Sequence, residues 1–132
     1  MDDATLLRHL RALVQPWPEV AESVTFGSNP TFKAGRKAFA VLDRYQGVGC
    51  LCLRTADAAT RARLLRQDRF FEPPYDPRKV WIALRLDGVR GVRELQELCL
   101  ASYRTVALAR MLSVLDGKGA KAAVGRRPSR QD

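Results

Sequence analysis

A chain of 132 residues supports one folded domain with one core, and a formal charge of +9 from 23 basic and 14 acidic side chains invites a polyanionic partner. No stretch is apolar for the roughly 20 residues that a membrane-spanning helix needs, and Met1-Asp2-Asp3-Ala4 lacks the basic and apolar regions of a signal peptide, so a cytoplasmic location is expected. Three cysteines exclude the even set of a disulfide framework.

Asp2 and Asp3 precede Leu6, Leu7, Leu10, Leu13 and Val14, which recur at helical spacing. Acids at the start suit the helix dipole. Pro16 and Pro18 end this first helix, and Trp17 between them is expected to fold back on the core. His9 stands alone, with no second ligand type nearby to make it a metal or catalytic residue. The alternating run Ser23-Val24-Thr25-Phe26-Gly27 reads as a first strand, with Val24 and Phe26 on one side.

From Pro30 to Leu53 three strand signals surround two turns, at Ala34-Gly35 and Gln46-Gly47. Val48 to Leu53 is apolar on both faces, as a central strand is. Cys50 and Cys52 lie two apart, so both side chains meet one face. That is not the spacing of a Cys-x-x-Cys pair, and buried small hydrophobes are the expected role, as for Cys99. Thr55 is a candidate N-cap for a middle helix reaching about Gln67, with Ala58, Ala62 and Leu65 inward and Arg61, Arg63 and Arg66 on a solvated face. Phe70 to Pro77 carries three prolines and reads as an ordered loop.

Lys79 to Asp87 alternates cleanly. Val80, Ile82, Leu84 and Leu86 form one face, and Trp81, Ala83, Arg85 and Asp87 the other. A long C-terminal helix from Glu94 to about Leu115 carries one stripe of Leu95, Leu98, Cys99, Val106, Ala109 and Leu112. A second stripe runs through Leu100, Tyr103, Ala107, Met111 and Val114. These elements make residues 1–116 a single α+β domain. Residues 117–132 read as a flexible tail. Within it Lys118, Lys121, Arg126, Arg127 and Arg130 against Asp132 give +4, leaving +5 on the body.

With these parts in order, the chain resembles the MmcQ/YjbR family of small bacterial proteins over nearly all of Pro18 to Leu115. The residues that carry the likeness are Pro18-Glu19-Val20, Phe26-Gly27, Pro30-Thr31-Phe32-Lys33 and Gly35-Arg36-Lys37-Ala38-Phe39-Ala40. Pro74-Tyr75, Leu86-Asp87, Glu94-Leu95 and Ser102-Tyr103-Arg104 extend it through the second half. Relatives place a histidine before that tyrosine where this chain has Pro74, so no role resting on an imidazole carries over. The resemblance implies a CyaY-like α+β fold, an antiparallel sheet with its helices packed on one face, and DNA binding, an assignment that family members receive on fold and surface charge. The fold's likeness to frataxin raises iron, but Asp2 and Asp3 are followed by Arg8, His9 and Arg11 rather than an acidic ridge, and no metal or cofactor is expected.

No nucleophile with a base, paired carboxylates or phosphate loop stands at recognisable spacing, so the chain is read as no enzyme. The leading expectation is nucleic-acid binding across an open sheet face. Trp81 would stack on bases while Arg85, Lys33, Arg36, Lys37 and Arg44 meet phosphates, and Arg126 and Arg127 in the tail would add sequence-independent affinity. The alternative is a protein-interaction or small-ligand module using the same face or the second stripe of the last helix. Exposure of Trp81 would favour the first, and a concave apolar pocket there the second.

Overall fold

The computed structural model describes residues 1–25 and 27–124, with side chains described through residue 117. Asp2 caps the first helix, α1 (Asp3–Val14), by accepting the Thr5 N–H at 2.8 Å, and Leu6, Leu10 and Val14 form its buried face. Six strands follow: β1 (Val20–Thr25), β2 (Asn29–Ala34), β3 (Lys37–Tyr45), β4 (Val48–Arg54), β5 (Phe70–Phe71) and β6 (Trp81–Arg85). They make one antiparallel sheet in the order β1-β2-β3-β4-β6-β5. The β3–β4 hairpin turns on Gln46 and Gly47, both at positive φ (51° and 80°) as a type I′ turn requires.

One face of the sheet carries Phe32, Ala40, Leu42, Leu51, Leu53 and Leu84 into the main core beneath the helices. The register of β2 on β3 passes from Phe32↔Ala40 to Lys33↔Ala38, leaving Phe39 as the extra residue of a β-bulge. The bulge turns Phe39 into the same core, where its ring meets Tyr103 edge-on at 5.4 Å and Trp17 at 6.2 Å. Trp17 is therefore the expected plug. Ser102 completes the arrangement: its hydroxyl donates to the Phe39 carbonyl and accepts the Arg54 N–H at 2.9 Å, bridging the two strands just beyond Ala40↔Leu53, where the β3–β4 pairing begins.

Three elements differ from the sequence expectation. The middle helix, α2 (Ala58–Leu65), is capped by Asp57, which accepts the Thr60 N–H at 2.7 Å, while the Thr55 hydroxyl donates instead to the Val80 carbonyl. Its inward face is formed by Arg61, Leu64 and Leu65, whereas Ala58 and Ala62 are exposed. The residues read as loop begin with a strand, because Phe70 and Phe71 pair with Leu84 and Ala83 along the sheet edge.

The single long C-terminal helix is two, α3 (Val92–Val106) and α4 (Ala109–Val124), broken where Ala107 takes an extended conformation (ψ 139°). A straight helix would carry Met111 past the sheet. The break returns it to the core, 1 % exposed, against the β2–β3 turn at Gly35, so Tyr103 and Met111 of the second stripe are buried within the domain while Leu108 and Val114 stay exposed. The α4 backbone is helical through Val124, within the stretch read as tail, and residues 125–132 lie outside the described residues. No helix among the described residues is long and apolar enough to cross a membrane.

Candidate functional site: a groove on the back of the sheet

Strand alternation sends Ala38, Val41 and Tyr45 of β3, Cys50 and Cys52 of β4, and Trp81 and Ala83 of β6 to the face opposite the helices, where they form a second apolar cluster. This face is not an open platform. The chain after Phe71 folds back over it through Pro73, Pro74 and Tyr75, and leaves a groove of about 540 Å³ between loop and sheet. Val41, Cys52 and Trp81 line its sheet side, and Asn29, Asp43, Tyr45 and Asp76 supply its polar groups. Tyr75 stands at the lip at φ 61°, 99 % exposed.

The loop is held from behind by Arg61. Its Nη2 lies 2.9 Å from Glu72 Oε2 and 3.8 Å from Asp76 Oδ2, and its Nε donates to the Trp81 carbonyl at 3.1 Å. Asp76 in turn accepts the backbone N–H groups of Val80 and Trp81 at 3.3 and 2.9 Å. The cation read as solvated is thus 9 % exposed and ties α2, the loop and the start of β6 into one unit.

Two groups on this face of the sheet hold their protons tightly. Tyr45 donates its hydroxyl proton to Asp43 Oδ2 at 2.8 Å, and burial, then the adjacent Cys52 and Asp43, push its pKa upward. The Cys50 thiol, 4.0 Å from that of Cys52, is raised by that contact and by burial. Burial alone lifts Cys99 in the main core to about 12. Among the described residues no group of three or more His, Cys, Asp or Glu side chains is arranged to hold a metal ion.

The residues read from the sequence as a nucleic-acid platform are dispersed. Trp81 is half-buried, with the Arg54 guanidinium 4.7 Å from its ring centre, and it forms part of the groove instead of an exposed stacking surface. Arg85 shares its face but lies over Phe71 at 5.2 Å and donates to the Asp68 carbonyl. Arg44 points to the opposite face, where it pairs with Asp3 of α1 at 3.3 Å and donates to the Gly47 carbonyl. Lys33 lies toward the other end of the sheet, with Arg36 and Lys37 at the adjoining β2–β3 turn. None of these three enters a described ion pair. Arg126 and Arg127 fall outside the described residues. Sequence reading missed Asp43 and Tyr45, whose i, i+2 spacing on a strand puts them on one face beside the cysteines and was the signal available.

The YjbR family profile matches residues 16–105, which span every strand of the sheet and reach almost to the end of α3. The chain belongs to the YjbR family. Solved structures share the fold: a Deinococcus radiodurans protein carrying the DUF419 domain is similar at 22 % identity and a TM-score of 0.64, over 95 % of this chain and 91 % of that one. A Pseudomonas syringae protein is similar at 15 % identity and a TM-score of 0.60, over 79 % and 97 % of the two chains. No curated protein matches the chain.

Proposed function

We propose that this YjbR-family protein is a non-catalytic binding module whose ligand is a small molecule seated between the 73–76 loop and the back of the sheet. The observation that supports it is the enclosure at Trp81: an aromatic floor, a proline-lined wall anchored by Arg61, and a volume of about 540 Å³, in the range of small-molecule sites. The Tyr45 phenol holds its proton and so offers no ready nucleophile there.

A second reading, nucleic-acid binding, draws on a separate observation. Lys33, Arg36 and Lys37 gather at one end of the sheet without a described ion-pair partner, in a chain of net charge +9. One experiment separates the two. Amide spectra are recorded against a library of small aromatic and aliphatic fragments, then against duplex and single-stranded oligonucleotides at two salt concentrations. Saturable shifts at Trp81, Tyr75 and Asn29 with fragments are expected. Shifts at these residues only with oligonucleotides, weakening steeply with salt, would overturn the groove reading in favour of the second.

A further inference from the structure

The formal charges on the groove have the opposite sign to those on the protein. In a chain of net charge +9, the ionisable side chains lining it are the acids Asp43 and Asp76 with Tyr45, Tyr75 and Cys52, and no Lys or Arg is among them. Asp76 is already committed, to two backbone N–H groups and to Arg61 at 3.8 Å. Asp43 is different. Its Oδ1 accepts the Arg44 N–H and its Oδ2 the Tyr45 hydroxyl, at 2.7 and 2.8 Å, yet none of the described ion pairs meets its charge. The Arg44 guanidinium is across the sheet on Asp3, and Arg54, toward the far end of the groove, is engaged by the Ala38 carbonyl and the Trp81 ring.

Because Tyr45 spends its proton on Asp43, the Asp43 end of the groove mainly accepts hydrogen bonds, the Asn29 amide, the weak Cys52 thiol and the Tyr75 hydroxyl at the lip being the other side-chain donors of the lining. Tyr75 and Trp81 line the same groove with rings whose faces attract a positive charge, and the Trp81 ring already holds the Arg54 guanidinium at 4.7 Å. An anion seated there would meet Asp43 with no lining cation to offset it.

We infer that the groove is selective for a small organic cation, a protonated amine on a compact apolar body, with the ammonium on Asp43 and the body between Trp81 and the Tyr75 lip. This rests on the groove reading above. The test compares phenethylamine, phenethyl alcohol and phenylacetate, one skeleton in three charge states, by amide shifts at Trp81 and Tyr75. It uses the full chain and two variants, Asp43→Asn, which keeps the side-chain shape, and Tyr75→Ala, at a position exposed enough to leave the fold intact. The amine is expected to bind about tenfold or more tighter than the alcohol, as a charge-assisted hydrogen bond implies, and the carboxylate weakest. Asp43→Asn should remove the preference for amine over alcohol, and Tyr75→Ala should weaken both. If the alcohol binds as well as the amine, or Asp43→Asn leaves the preference in place, the cation inference fails while the groove reading stands. If none of the three moves Trp81 or Tyr75, both fail.

Discussion

Replacing Arg61 tests whether the groove wall is held as the structure indicates. Arg61→Ala removes a charged hydrogen bond to the Trp81 carbonyl, a short pair to Glu72 and the cation facing Asp76. The three losses are unequal. Glu72 is half-exposed, its side chain 51 % accessible, so its pair is worth about 0.2–1 kcal/mol. The bond to the carbonyl, from a cation 10 % exposed, is worth about 1.5–3 kcal/mol. Asp76, at 7 %, keeps two backbone donors but loses its counter-charge, which brings the total to about 3–5 kcal/mol, the range for breaking a buried pair. Arg61→Lys keeps the charge and loses the fork, and falls between Arg61→Ala and Glu72→Gln. Urea unfolding followed by tryptophan fluorescence gives all three free energies, and amide exchange at residues 73–76 reports the wall. The reasoning is refuted if Glu72→Gln costs as much as Arg61→Ala, or if Arg61→Ala stays within about 1 kcal/mol of the parent.

Ser102→Ala leaves the Phe39 carbonyl and the Arg54 N–H without their partner at the bulge, and an expected loss of about 2–4 kcal/mol is read from the urea midpoint; a loss below about 1 kcal/mol would mean that the ladder closes without the hydroxyl. Gly35→Ala forces a side chain onto φ 61° and sets its Cβ 3.0 Å from Met111 Cε, so it is expected to cost about 1–2 kcal/mol or more, whereas Gly47→Asn, in open space at φ 80°, should cost little by the same measurement. Arg69 grips Glu94, with one oxygen at 2.7 Å, and holds its carboxyl below the usual range. A depressed folded-state pKa gives stability that is present above the unfolded value and lost as pH falls through the folded one. Glu94→Gln should therefore be less stable than the parent at neutral pH, with the gap closing below about pH 4 in pH-dependent urea unfolding.

Alternation and turn chemistry made most of the sheet readable, since Gly35, Gly47 and the period of two from Trp81 to Arg85 are local signals. What escaped was set by tertiary contact. Nothing in the 92–115 sequence marks a helix end at Ala107, because no Pro or Gly stands there; the break is set by Met111 finding the pocket beside Gly35. Arg61 reads as solvated on a helix wheel, and only the fold brings Glu72 and Asp76 to it from a loop 11 or more residues away. Trp81 and Arg85 do share a face, as spacing required. Spacing carries no information about whether a loop later crosses that face.

The same alternation explains how a basic chain comes to hold an acidic groove. Back-face positions in the middle of the sheet, Val41, Cys50, Cys52 and Ala83, are uncharged and buried, so the arginines of these strands sit at strand ends: Arg44 and Arg85 at one, Arg54 at the other. Each is then drawn to a local acceptor, Arg44 to Asp3 and Gly47, Arg85 to Asp68, Arg54 to Ala38. Asp43, one residue before Arg44, faces the opposite way from it because successive strand residues must, and so keeps its charge toward the groove. Surface charge and groove charge are therefore independent properties of this fold. Neutralising Lys33, Arg36 and Lys37 together would erode any attraction for polyanions while leaving Asp43, Tyr45 and Trp81 in place, so affinity for the two kinds of partner can change separately.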